Sequence, residues 1–190
     1  RMDLHVCTKE NALANLELYQ ILVDKDGIVP YPQETDDKKY WVKEPQEIEF
    51  QCACSDFWWC LNNVAKGLWR NELPYVMDVI NFALRPHLKR LLEWEIGIEH
   101  NFSVSVGKSG KYFKKYLSED KYRQFLATYS IAEIESIWDS VFGMCNLFQC
   151  TAVEFSKKQN FSYDFEQAKN SLNFLQHVRK LPVNAKEIYP

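Results

Sequence analysis

From residue 50 onward, apolar residues recur every three or four positions, and this spacing constrains the fold more than any other feature. Phe50, Cys54, Phe57, Leu61, Val64 and Leu68 fall on one side of a 3.6-residue helix. Pro45 suits a first helical position ahead of that run. Pro74 opens a second helical stretch carrying Tyr75, Val79, Phe82, Leu88 and Leu91 towards Glu99. Gly107 and Gly110 interrupt the pattern over 101–110. Ser118 precedes another helix. Ser130-x-x-Glu133 reads as a capping box before a long helix through about Lys157, and Asp164 to Arg179 supplies the last one. Only 6 Gly and 7 Pro punctuate 190 residues that are 46% hydrophobic. The expectation is a mainly α chain, a helical bundle over residues 41–190.

The first forty residues read differently. Met2, Leu4 and Val6 alternate with Arg1, Asp3 and His5, the period-two pattern of a half-buried strand. Thr8 could cap a short helix through Glu17, and Leu18 to Val23 is a second β-like run. Asp24-Lys25-Asp26-Gly27 makes a turn, and Pro30 to Lys39 has the composition of a linker. Strand, helix, strand predicts a short α/β remnant over residues 1–40, too small to stand alone.

Charge and motifs exclude several functions. Twenty-three Lys and Arg against 26 Asp and Glu give a net charge of −3. A duplex-binding protein would show a basic excess, so no nucleic-acid partner is expected. The longest apolar run, Phe57 to Leu61, is far short of the ~20 residues that span a bilayer, so no membrane partner is expected. Arg1-Met2-Asp3-Leu4-His5 lacks the basic-then-apolar order of a signal peptide, and a reducing cytoplasm is the default expectation. The six cysteines (Cys7, Cys52, Cys54, Cys60, Cys145 and Cys150) are then expected as buried free thiols. Nucleophile elbows, His-Glu-x-x-His and the Rossmann glycine set are absent.

Three features could carry chemistry. Asp3 sits on the polar face of the first strand-like segment, where a carboxylate could hold a metal or accept a proton; an ordinary water-facing acid is the plainer reading. Gly107 to Tyr116 packs four Lys, two Gly and two Tyr into ten residues, which suits phosphate, although the spacing is not that of a P-loop and a solvated helix start fits equally. Asp56, Asn63, Lys66 and Arg70 fall at helical spacing, as do Asp78, Asn81 and Arg85, with Trp58, Trp59, Trp69 and Trp94 interleaved. Carboxylates beside aromatic faces match a polycationic sugar; a water-facing stripe beside core tryptophans explains them as well.

The runs Tyr40-Trp41-Val42-Lys43-Glu44-Pro45, Phe57-Trp58-Trp59, Val64 to Glu72, Arg85-Pro86, Phe102 to Lys108 and Lys111 to Leu117 occur in an order that resembles the aminoglycoside 6-adenylyltransferases, the streptomycin-modifying nucleotidyltransferases. Arg1-Met2-Asp3-Leu4 and Leu22 to Gly27 fit in the same order. The resemblance implies a C-terminal portion of a two-domain enzyme. Residues 1–40 would be the tail end of an α/β nucleotidyltransferase domain, and residues 41–190 a helical substrate-binding domain. The reaction implied is transfer of AMP from Mg-ATP to a streptomycin hydroxyl, as in antibiotic resistance, with Mg2+ accompanying ATP.

By the same resemblance, Asp3 matches a third catalytic carboxylate and metal ligand, and Lys108 and Lys111 match a triphosphate-binding segment. Lys66 would reach phosphate or a neighbouring acid. Asp56 and Asp78 would face the cationic aminoglycoside, with Trp59 and Trp94 as walls. The Gly-Ser motif and strand-borne Asp-x-Asp pair of the family do not occur in these residues. They would lie upstream of Arg1, so the 190-residue piece alone is expected to be inactive. The expected partners are ATP and a streptomycin-like aminoglycoside, with the protein a monomer or weak dimer. A helical, nucleotidyltransferase-like binding module without catalysis is the alternative.

Overall fold

A computed structural model describes residues 3–16, 18–31 and 37–188. Its body is built on two long helices, α2 (Glu47–Trp69) and α7 (Ile134–Gln159). Their apolar faces meet in a column of rings. Phe57 and Phe148 stack with centroids 3.8 Å apart and planes 1° from parallel, Trp58 meets both edge-on, and Phe50 stacks on Phe155 at 5.5 Å. Offset and edge-to-face ring pairs contribute about 0.5–1.5 kcal/mol beyond their area, so this column fixes how α2 and α7 pack. The buried Trp58 indole donates to the Tyr163 hydroxyl at 3.1 Å, which leaves its polar atom satisfied.

The remaining helices are α1 (Lys9–Ala14), α3 (Leu73–Val79), α4 (Arg85–Glu99), the single turn α5 (Phe113–Tyr116), α6 (Glu119–Ala127) and α8 (Phe165–Lys180). α8 lies along α2, while α4 and α6 pack on α7. Gly67 permits the tight α2–α3 corner, because a Cβ there would stand 2.6 Å from Val76 Cγ2. Lys121 on α6 bonds Glu95 on α4 and reaches Glu154 on α7 at 3.3 Å, joining three helices through one ammonium. Burial holds the Glu95 carboxyl above the usual carboxylate range, and Lys121 only partly offsets this.

Several helix starts follow their caps. The Thr8, Ser118 and Asp164 side chains accept from the amides of Asn11, Lys121 and Gln167. Two expected starts shift. α2 is capped by Gln46 in a box with Glu49, so Pro45 lies just outside the helix. Glu133, not Ser130, occupies the cap of α7 in extended conformation, and the Ser130 box does not form. Between α3 and α4, Ile80–Leu84 forms a π-helical turn that no sequence signal announced.

The strands expected near Asp3 and over Leu18 to Val23 are not found: the described residues contain no strand. Leu4 is 85% exposed and Leu22 87% exposed. A strand needs a ladder partner, and neither segment has one among the described residues. The turn does form: the Gly27 and Val29 amides donate to the Asp24 carboxylate at 3.0 and 2.8 Å. These bonds, Val29's above all, lower the Asp24 pKa. Glu17 and half of the expected linker, residues 32–36, lie outside the described residues. All six thiols are free, but Cys7, Cys52 and Cys150 are exposed and only Cys54 and Cys145 fully buried, which corrects the expectation of buried thiols. Among the described residues no helix is long and apolar enough to cross a membrane.

Candidate functional site

The lysine-rich segment is a loop pinned from beneath. α4 ends where the Phe102 amide donates to the Gly97 carbonyl at 2.7 Å, and the Phe102 ring covers Gly97 so closely that a Cβ would stand 2.5 Å from it. The chain then runs extended, and the Val42 amide donates to the Val104 carbonyl at 2.9 Å, drawing residues 41–45 alongside. Gly107 turns with φ +69°, and the Lys111 and Tyr112 side chains fold over it where a Cβ would otherwise lie. Phe113 drops into the core, edge-on to Phe125 at 5.4 Å. Lys108, Lys111 and Lys115 are left outside.

Those lysines border a cleft of about 990 Å3 whose other walls include Trp41, Tyr112, Asp37 and Glu93. Trp41 is fixed by its indole N–H, which donates to the Asp37 carboxylate at 2.7 Å. Lys111 Nζ lies 4.8 Å from the centre of the Tyr112 ring and Lys115 Nζ 4.7 Å from that of Tyr116, cation–π contacts that hold the ammonium groups over flat faces. Glu93 is half-buried. Burial raises its carboxyl above the ordinary range, and the positive charges of Lys89 and Arg90 pull it part of the way back. The cleft offers ammonium groups for phosphate, aromatic faces for a base or sugar ring, and carboxylates for a cation.

Lys108 and Lys111 are thus brought together, but the other expected site residues are dispersed. Lys66 lines a separate cavity of about 250 Å3 with Trp69, Arg70 and residues 185–188 of the C-terminal tail. Asp56 and Asp78 are exposed on α2 and α3, and neither lines the lysine cleft. Asp56 acts electrostatically on His87, whose pKa is lowered by burial, raised by Asp56 and lowered again by Arg90. Trp59 is 70% exposed, as a wall could be. Trp94 is not: it is 7% exposed, and its ring packs 6.0 Å from that of Phe155 in the core. Asp3 is exposed on an irregular segment. Among the described residues no three His, Cys, Asp or Glu side chains converge to hold a metal, so they do not fit a magnesium site.

Sequence reasoning missed Glu93 and Asp37 as cleft residues and used Trp41 only as a motif. Glu93 follows Lys89 and Arg90 at helical spacing, a signal that was present. Nothing short-range placed Trp41 beside Lys108; the Val42–Val104 bond does.

The body is helical, and one cleft on it gathers ammonium groups, aromatic faces and two carboxylates. Comparison with known proteins makes this specific. A profile of the streptomycin adenylyltransferase family matches residues 1–178, and the chain belongs to that family. It is 34% identical over 160 residues to the aminoglycoside 6-adenylyltransferase of Bacillus subtilis (strain 168), covering 83% of this chain and 56% of that protein. It is 36% identical over 160 residues to the Staphylococcus aureus protein of the same name, covering 84% and 56%. The crystal structure of an aminoglycoside 6-adenyltransferase from Bacillus subtilis superposes with a TM-score of 0.69 at 30% identity, over 90% of this chain and 63% of that one. The chain spans little more than half the length of the curated relatives it matches.

Proposed function

We propose that the chain is the C-terminal portion of an aminoglycoside nucleotidyltransferase that transfers AMP from Mg-ATP to a streptomycin hydroxyl. Residues 1–40 are then the tail of the nucleotidyltransferase domain and residues 41–190 the helical domain that receives the substrates. One observation carries the reading: Lys108 and Lys111, on a glycine-hinged loop, share a cleft with Trp41 and Tyr112 in a chain of this family. Phosphates pair with the lysines while a ring lies against the aromatic faces.

In the reaction the acceptor oxygen bonds to the α-phosphorus, the α–β anhydride bond breaks, and pyrophosphate leaves. Positioning and charge neutralisation dominate such a step. Here the lysines draw charge off the departing phosphates. Asp56, Asp78 and Trp59 are assigned to the cationic sugar on their exposure and chemistry, while Trp94 and Lys66 drop out on their placement. Asp3 takes its expected role of proton acceptor only in company with carboxylates supplied elsewhere in the enzyme, and the described residues alone neither hold magnesium nor catalyse. Cytoplasmic residence goes with an ATP-dependent reaction.

Mass spectrometry of the full-length protein with MgATP and streptomycin tests the reading. The expected product is streptomycin carrying one adenylyl group, with pyrophosphate released. Bound ATP without any adduct overturns the substrate assignment. Asp78→Asn should weaken the aminoglycoside far more than ATP, and equal effects on both would remove Asp78 from the sugar site.

A further inference from the structure

A second cluster of positive charge lies on the first two turns of α4, against Ser109 of the lysine loop. Arg85, Lys89 and Arg90 wall a cavity of about 260 Å3 with Asn81 and Ser109, and Glu93 is the only carboxylate on its lining. Three cations against one carboxylate leave a formal charge of +2. Arg85 is only 6% exposed. It donates to the Asn81 amide oxygen at 3.2 Å, the Thr128 hydroxyl at 2.6 Å and the Thr128 carbonyl at 3.0 Å, and it lies over the Tyr129 ring at 3.7 Å.

All these partners are neutral. Among the described residues no carboxylate stands within ion-pair distance of Arg85, Lys89 or Arg90. A buried guanidinium without a counter-charge is costly, and part of its N–H fork stays unused. The π-helical turn that ends at Leu84 presents Arg85 to this cavity, and single π turns gather at functional positions. The volume is below the ~300–1,000 Å3 typical of drug-sized ligands and suits a small anion.

We propose that this pocket binds a phosphate-type oxyanion, either free diphosphate or the terminal phosphates of a nucleotide, through Arg85, Lys89, Arg90 and the Ser109 hydroxyl. Arg90 supplies a planar fork that matches phosphate oxygens, Arg85 its two remaining N–H donors, and Lys89 a point charge. Glu93 opposes the anion from the wall shared with the lysine cleft. The site stands on its own geometry and does not require adenylyl transfer.

Calorimetric titration of the full-length protein with inorganic pyrophosphate tests it. Saturable binding is expected, weakened about tenfold by Lys89→Met or Arg90→Met, since each removes a charge-assisted bond. Glu93→Gln should tighten it, an effect a purely structural cluster would not give. Saturable binding should persist in Lys108→Met/Lys111→Met, which removes the cleft's own phosphate contacts and leaves this pocket alone to report. Circular dichroism checks that each variant folds. No saturable binding overturns the proposal, as do unchanged affinity in both α4 variants and loss confined to the loop variant. Displacement of pyrophosphate by ATP identifies a nucleotide's terminal phosphates as the occupant, and simultaneous binding identifies free diphosphate. Loss of pyrophosphate binding with adenylyl transfer intact strikes this pocket alone, and the reverse strikes the proposed function alone.

Discussion

Residues 3–31 and the helices from Glu47 onward carry similar densities of apolar side chains, yet none is buried in the first segment. In the second, Phe50, Phe57, Trp58 and Leu61 are all 0% exposed. The difference is one of partners. α2 finds α7 and α8 along its apolar face, whereas the alternating residues around Asp3 find no neighbouring ladder among the described residues. An apolar pattern therefore states which face can be buried, and only a second element decides whether it is.

Substitutions at four positions probe that contrast. Phe57→Ala should cost about 3–5 kcal/mol, because it removes one ring of a closely stacked pair and leaves a cavity; urea denaturation measures it. A loss below about 1 kcal/mol would mean that the column does not hold the body together. Lys121→Met should cost about 3 kcal/mol by stranding the buried Glu95 carboxylate, and Lys121→Arg should recover part of it.

His87 gives a smaller, pH-dependent effect. Burial lowers its folded pKa below the ordinary histidine value, so its contribution is present above about pH 6.5 and lost as pH falls through the folded pKa. Its buried Nδ1 has no hydrogen-bond partner. Urea midpoints between about pH 7.5 and pH 5.5 should therefore fall more steeply for the wild type than for His87→Gln. Parallel curves would remove His87 from the account. Leu22→Ser should change stability by less than about 0.5 kcal/mol. A loss comparable with that of Phe57→Ala would show that residues 3–31 share the core, and the contrast would break.

The helices were readable because their signals are local. Ser118 and Asp164 make the capping bonds their positions suggested, and the 3.6-residue spacing of Phe50 to Leu68 is the buried face of α2. The π turn before Arg85 was not readable, since no residue type demands it. The site was half legible. The glycine and lysine density of 107–116 marked one wall, but Trp41 and Glu93 come from segments far away in sequence, joined by one backbone bond and by the packing of α4. Trp94 misled because an amphipathic aromatic reads alike as wall or core until its neighbour, Phe155, is in place.

The most direct measurement is amide hydrogen exchange of the full-length protein with and without MgATP. Slower exchange should appear over 104–116 and around Trp41, with the Lys66 cavity and residues 185–188 unchanged. Protection confined to the Lys66 cavity, or none over 104–116, would contradict the assignment of the lysine cleft to the nucleotide.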